Sequence, residues 1–126
     1  MKYIALILAL VTFGCNEDET LQEEALLNRM EEIQKEIDQL VDLGCSETSE
    51  CKYMAIGAKA CGGPTHYIIY SSGTNEAKLT MLISEYTEAN SQYNAMVGAF
   101  SDCALVNPPI VECVSGECTE MILVAF

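Results

Sequence analysis

The sequence predicts an α+β fold: an N-terminal acidic amphipathic helix, then a small antiparallel sheet with one helix packed on it, stapled by disulfides. Three observations predict it. Apolar residues recur at spacings of three and four over residues 20–43 and again over 79–97, which marks helices with one buried stripe. Between and after them lie short runs rich in β-branched and aromatic residues, bounded by Gly, Pro and Ser, which read as strands. Six cysteines fall between positions 45 and 118, enough for three bridges in an oxidised chain.

The chain opens Met1-Lys2-Tyr3 and runs without charge from Ile4 to Val11 before Thr12-Phe13-Gly14-Cys15. One lysine, a short apolar stretch and a small residue before a cut form the layout of a secretory signal over residues 1–14. A bilayer span needs roughly 20 apolar residues, more than this stretch supplies. Gly14-Cys15 resembles the end of a lipobox, although Thr12 and Phe13 stand where a leucine and a small residue are more usual. The resemblance implies cleavage between Gly14 and Cys15, with diacylglycerol and palmitate carried on Cys15. Glu17-Asp18-Glu19 resembles the acidic export tag of surface lipoproteins from Bacteroidota-type bacteria. Together these implied features describe a cell-envelope protein, lipid-anchored in the outer membrane and exposed at the surface, with residues 15–19 as lipidated cysteine and acidic tether.

Cleavage there removes 14 residues and one lysine, leaving 112 residues and moving the formal charge from −13 to −14. That charge excludes nucleic acid as a partner, because phosphate backbones recruit basic surfaces. It equally excludes peripheral adhesion to anionic headgroups, so membrane association must come through the lipid. Most of the acidity lies between residues 17 and 50 and serves solubility.

Residues 20–44 form the acidic helical segment. Thr20 and Glu23 make a capping box. Leu26, Met30, Ile33, Ile37 and Leu40 share one stripe, and Gly44 is placed to stop the helix in a left-handed cap. The stripe over 20–43 suits a helix that docks on the chain's own domain or serves as a spacer lifting that domain off the membrane, which is the favoured pair of readings, or weak self-association as a short coiled coil. Residues 45–126 form the disulfide-stabilised domain. Strands are expected at 52–58, 66–71, 102–106, 110–114 and 118–124, with the second helix capped by Thr74 or Asn75 and ended by Gly98.

Seven cysteines is an odd count for an exported chain, and Cys15 is the one set aside by position. For the rest, Val114-Ser115-Gly116-Glu117 reads as a hairpin turn, which sets Cys113 opposite Cys118 as a non-hydrogen-bonded pair about 4.5 Å apart. That spacing lies inside the disulfide range, so Cys113–Cys118 is the first expectation. Cys45–Cys51 would close a short polar loop, and Cys61–Cys103 follows by elimination. A zinc site is not expected: there is no C-x-x-C and only one histidine, His66.

Catalytic signatures are sparse. His66 has no carboxylate or nucleophile placed near it by sequence, and no phosphate loop, dinucleotide fingerprint or calcium loop occurs. No cofactor is expected. The most distinctive stretch is Gly57-Ala58-Lys59-Ala60-Cys61-Gly62-Gly63-Pro64. It reads as a tight connection pinned by a disulfide, and as a candidate interaction loop made of Lys59, Gly62, Gly63 and Pro64 with Lys59 at its tip. A loop held rigid in this way lowers the entropy cost of binding. This stretch, with Tyr70-Ser71, Ser101-Asp102-Cys103, Pro108-Pro109 and the Cys113/Cys118 pair, resembles small disulfide-containing exported bacterial proteins over roughly residues 45–120. The resemblance implies a self-contained disulfide domain and brings no activity with it. The expectation is a non-enzymatic binding or structural module with a protein partner; the alternative is a protease inhibitor presenting the loop around Lys59 and Cys61.

Overall fold

A computed structural model describes residues 17–123. Gly14 and Cys15, with the signal cleavage and lipid attachment expected there, lie outside the described residues. The element order is α1 (Glu17–Leu40), β1 (Cys51–Ile56), β2 (His66–Ser71), α2 (Glu76–Val97), β3 (Ile110–Val114) and β4 (Glu117–Met121), with a single 3-10 turn at Thr48–Glu50. The class is α+β. No described helix is long and apolar enough to cross a membrane.

Both ends of α1 correct the sequence reading. Glu17, Asp18 and Glu19 are not a tether but part of the first turn of the helix, where carboxylates favour the positive end of the helix dipole. Thr20, expected as the cap, lies inside that turn and donates its hydroxyl to the Glu17 carbonyl at 3.0 Å. At the other end the helix stops at Leu40 rather than at Gly44. The cause is tertiary. Asp42 gives its N–H to Thr74 Oγ1 at 2.9 Å, and its carbonyl accepts the Ser71 N–H at 2.7 Å. Those bonds replace the next helical turn and hand the chain to the sheet. Gly44 instead forms an antiparallel bridge with Glu117.

Between docking and spacer, which the sequence left open, the structure has α1 packed on α2 and the strands through its C-terminal half. Ile33 and Ile37 are fully buried in one cluster with Leu79, Leu82 and Ile83 of α2, and with Ile56 and Tyr70 of the strands. Leu40 and Val41 pack at its edge. Toward the N-terminus the stripe is half-buried at Leu26 and Met30, while Leu21 and Leu27 beside it are exposed. Arg29 pairs with Glu85 near the middle of both helices. Glu19 and Glu23 border one surface groove with Met96 and Val97, so the helices run antiparallel.

α2 follows its local signals. Asn75 is the N-cap, accepting the Lys78 N–H at 3.1 Å, and Gly98 closes the helix in the left-handed region at φ 61° and ψ 44°. The single expected sheet is instead two antiparallel hairpins, β1-β2 and β3-β4. β1 pairs with β2 from Cys51↔Ser71 to Ile56↔His66, so Met54, Ile56, Ile68 and Tyr70 share the face turned to the helices. Tyr53 and Tyr67 meet edge to face on the opposite side, ring centres 5.6 Å apart. β3 pairs with β4 in the expected register, Cys113↔Cys118 and Val114↔Glu117. Ser115 and Gly116 both have positive φ, as a two-residue type I′ turn requires.

The expected strand at 102–106 is absent. Ser101 Oγ accepts the Cys103 N–H at 3.1 Å, and Asp102 Oδ1 accepts the Ala104 N–H at 3.0 Å. These local side-chain bonds compete with any ladder, and they turn Cys103 to φ 56°.

Candidate functional site

The loop between β1 and β2 is built from its glycines and from α2. Gly57 leaves the strand at φ +83°, and a Cβ there would lie 2.0 Å from Thr65 Oγ1, so no side chain fits. Its N–H goes to Thr87 Oγ1 at 3.0 Å. The next residue is held through both of its backbone groups: Asn90 Oδ1 accepts the Ala58 N–H at 2.8 Å, and Asn94 Nδ2 donates to the Ala58 carbonyl at 2.6 Å. Lys59 and Gly63 then close the tip, Lys59 N–H to Gly63 O and Gly62 N–H to Lys59 O, both at 2.9 Å. Gly62 and Gly63 supply the positive φ this turn needs. Pro64 follows in the exit of the loop, half-buried.

Lys59 is not presented at the tip. Its ammonium folds back to donate to the Ala104 carbonyl at 2.6 Å and to Asp102 Oδ1 at 3.3 Å, and only 18% of its side chain is exposed. The Asp102 carboxyl is held below the usual carboxylate range, first by the Ala104 N–H and then by the Lys59 ammonium. The Cys61–Cys103 bridge joins the same two segments, as expected by elimination. Between them lies a cleft of about 490 Å³ walled by Lys59, Asn90, Asn94, Ser101 and Asp102, with Phe100 fully exposed beside it. Sequence reading found the loop but missed Thr87, Asn90 and Asn94. Their signal was available: polar residues at spacings of three and four, bordering the apolar stripe of a helix.

The other two disulfides correct the expected pairing. Cys45 bonds to Cys113 and Cys51 bonds to Cys118, closing separations of 68 and 67 residues. The hairpin register was read correctly, and register alone does permit Cys113–Cys118. What overrides it is a third segment laid against β4. Cys118 N–H donates to Leu43 O at 2.8 Å and Cys45 N–H to Gly116 O at 3.0 Å, bringing Cys45 onto the face where Cys113 and Cys118 point. The start of β1 brings Cys51 to the same place. The sulfurs of Cys45, Cys51 and Cys118 lie within 4.8 Å of one another. As disulfides they present no thiolate to a metal.

His66 stands exposed at the start of β2 with Nδ1 3.0 Å from Thr65 Oγ1. A mainly aliphatic groove of about 380 Å³ runs between α1 and β2, lined by Ile37, Val41, Leu43, Tyr67 and Ile68 with Asp38 at the same wall. The geometry thus assembles two covalently pinned regions, the Lys59 loop against Asp102 and the four-cysteine cluster beneath the β3-β4 hairpin. No protein-family model matches the chain, and neither a curated protein nor a solved structure matches it.

Proposed function

We propose that the protein is an exported, lipid-anchored module of the cell envelope that binds or holds a partner without catalysing a reaction. Cysteine parity carries this reading. The six cysteines of the folded domain are paired with one another, and Cys15, the seventh, has no partner left among them. Three disulfides fit an oxidising compartment outside the cytosol, and a leftover cysteine behind a glycine and an apolar leader fits lipid attachment.

Glu17, the first described residue of α1, stands two positions after Cys15 in the sequence. Two peptide steps reach at most ~7 Å. A lipid on Cys15 therefore holds the helix start close to the membrane, and 24 helical residues carry the chain about 36 Å along the helix axis. The antiparallel α1-α2 pair sets the end of α2 beside this anchored end, with the four-cysteine cluster at the opposite end of the helix pair. The inhibitor reading requires Lys59 as a contact side chain. Its fold-back onto Asp102 and Ala104 favours a bracing role instead.

The test has two arms in the native host. Cys15→Ser should move the protein from the membrane fraction to the soluble fraction and abolish incorporation of labelled palmitate; retention in the membrane without label would defeat the lipid anchor. Cross-linking on intact cells, followed by capture through a C-terminal tag, should then return one stoichiometric protein partner. Hydrolysis by the purified protein in a substrate panel, lost in His66→Ala, would defeat the non-enzymatic reading.

A further inference from the structure

We propose that Cys45–Cys113 and Cys51–Cys118 together form a thiol–disulfide exchange site, at which an external thiolate re-pairs the four sulfurs as Cys45–Cys51 and Cys113–Cys118 and so unlatches the β3-β4 hairpin. The inference is independent of lipidation and rests on the described domain alone. Three observations carry it.

The first is proximity. The Cys45 sulfur, already bonded to Cys113, lies within 4.8 Å of both sulfurs of the neighbouring bridge. A thiolate generated at Cys45 thus sits beside a disulfide it can attack. The second is register. Cys113 and Cys118 are direct cross-strand partners in a non-hydrogen-bonded position, with side chains on one face of the hairpin. The second pairing therefore needs no movement of β3 against β4. The third is graded access. Cys51 is 9% exposed and Cys118 4%, whereas Cys45 and Cys113 are half-buried. An external thiol reaches the Cys45–Cys113 bridge first, and the inner bridge opens chiefly through its neighbour.

The exchange balances without net oxidation. The external thiolate attacks Cys113 Sγ, forming a mixed disulfide there and releasing the Cys45 thiolate. Cys45 attacks Cys51 Sγ, forming Cys45–Cys51 and expelling the Cys118 thiolate. Cys118 then attacks Cys113 Sγ, forming Cys113–Cys118 and returning the external thiolate. The incoming group is a small thiol or the exposed thiol of a dithiol oxidoreductase. Two bridges of 68 and 67 residues become two local ones, and the hairpin loses its covalent ties to residues 45 and 51 while keeping its hydrogen bonds to Leu43, Cys45 and Thr48.

Cys45→Ser tests whether Cys113 and Cys118 pair within the folded chain, because it leaves Cys113 free opposite Cys118. The variant is purified at pH about 4, where thiols are protonated, and then brought to pH about 8, near the free thiol pKa. Samples are alkylated over time and mapped by peptide mass spectrometry, with Cys61–Cys103 as an internal reference. The expected result is migration of the alkylated site from Cys113 to Cys51 without added thiol. Alkylation that stays on Cys113 in a folded variant overturns the proposal. If circular dichroism shows the variant unfolded, the unaltered protein decides. Reduced glutathione, and separately a dithiol oxidoreductase, should generate Cys45–Cys51 and Cys113–Cys118 peptides with no net consumption of thiol. In the Cys45→Ser/Cys113→Ser double variant, Cys51–Cys118 should resist the same treatment about tenfold or more. Absence of the re-paired peptides with both thiols, or equal lability of the inner bridge in the double variant, overturns the proposal.

Discussion

Single residues in this chain decide where the backbone turns. Gly57 combines a positive φ with a site where a Cβ would strike the Thr65 hydroxyl. Gly57→Ala is expected to lower stability by about 2 kcal/mol or more, measured by urea unfolding. Gly62, equally left-handed but with nothing near its virtual Cβ, should suffer only the backbone part of that loss on substitution. Core side chains follow the same local accounting. Ile37 is fully buried between α1, α2 and the sheet, so Ile37→Ala should cost about 2–5 kcal/mol, against under ~0.5 kcal/mol for exposed Leu21→Ala. Residue-level signals were also the most legible part of the sequence. Asn75 and Gly98 bound α2 where their own backbone preferences place them, and Ser115-Gly116 fixes the hairpin register, because each depends on a few neighbouring atoms.

Elements are held to one another by a small number of polar ties laid over the apolar core. Lys52 on β1 reaches Glu76 at the start of α2, 2.9 Å apart. The hydrogen bond and charge of Lys52 hold the Glu76 carboxyl below the usual carboxylate range, and Glu76 in turn raises Lys52. The sign follows from linkage. A carboxyl lowered in the folded state contributes stability above its unfolded pKa of roughly 4.3 and loses it as pH falls through the folded value. The raised lysine contributes below its unfolded pKa and loses that contribution as pH rises through the folded one. Asp102 behaves as Glu76 does. Urea midpoints should therefore fall on acidification below roughly pH 4, and Glu76→Gln/Asp102→Asn should flatten that fall. An unchanged slope in the double variant would remove these carboxylates from the account. The elements that sequence reading placed poorly are those ended by distant partners. α1 stops where Ser71 and Thr74 take the backbone of Asp42, 29 and 32 residues away. The segment after α2 is not a strand because Ser101 and Asp102 bond their own backbone, a choice that propensity leaves open.

Across the whole molecule the disulfides replace what a small core cannot supply. Cys61–Cys103 closes a separation of 42 residues, and its loss in Cys61→Ser/Cys103→Ser should cost about 4 kcal/mol in the chain-entropy model, read from the urea midpoint. The same bridge draws Asp102 and Ala104 to Lys59, so the double variant should also free the Lys59 amine, seen as faster acetylation of that residue. Partner choice among six cysteines was the least legible feature. Local register allowed Cys113–Cys118, and only the packing of residues 43–45 on β4 sends those sulfurs elsewhere. No local pattern encodes a meeting of segments so far apart. By contrast, the α+β class followed from periodicity over whole segments, where many residues vote together.

The order of the bridges along the chain has a consequence for survival among proteases. Cys45–Cys113 and Cys51–Cys118 interlock, and Cys61–Cys103 sits inside both. Any single peptide bond cut between residues 45 and 118 is therefore spanned by at least one covalent cross-link, and any cut between 61 and 103 by all three. Trypsin nicking at Lys52, Lys59 or Lys78 should add the mass of one water while leaving one band on a non-reducing gel, which separates into fragments only after reduction. In an environment rich in hydrolases, backbone scission and loss of the molecule become two different events.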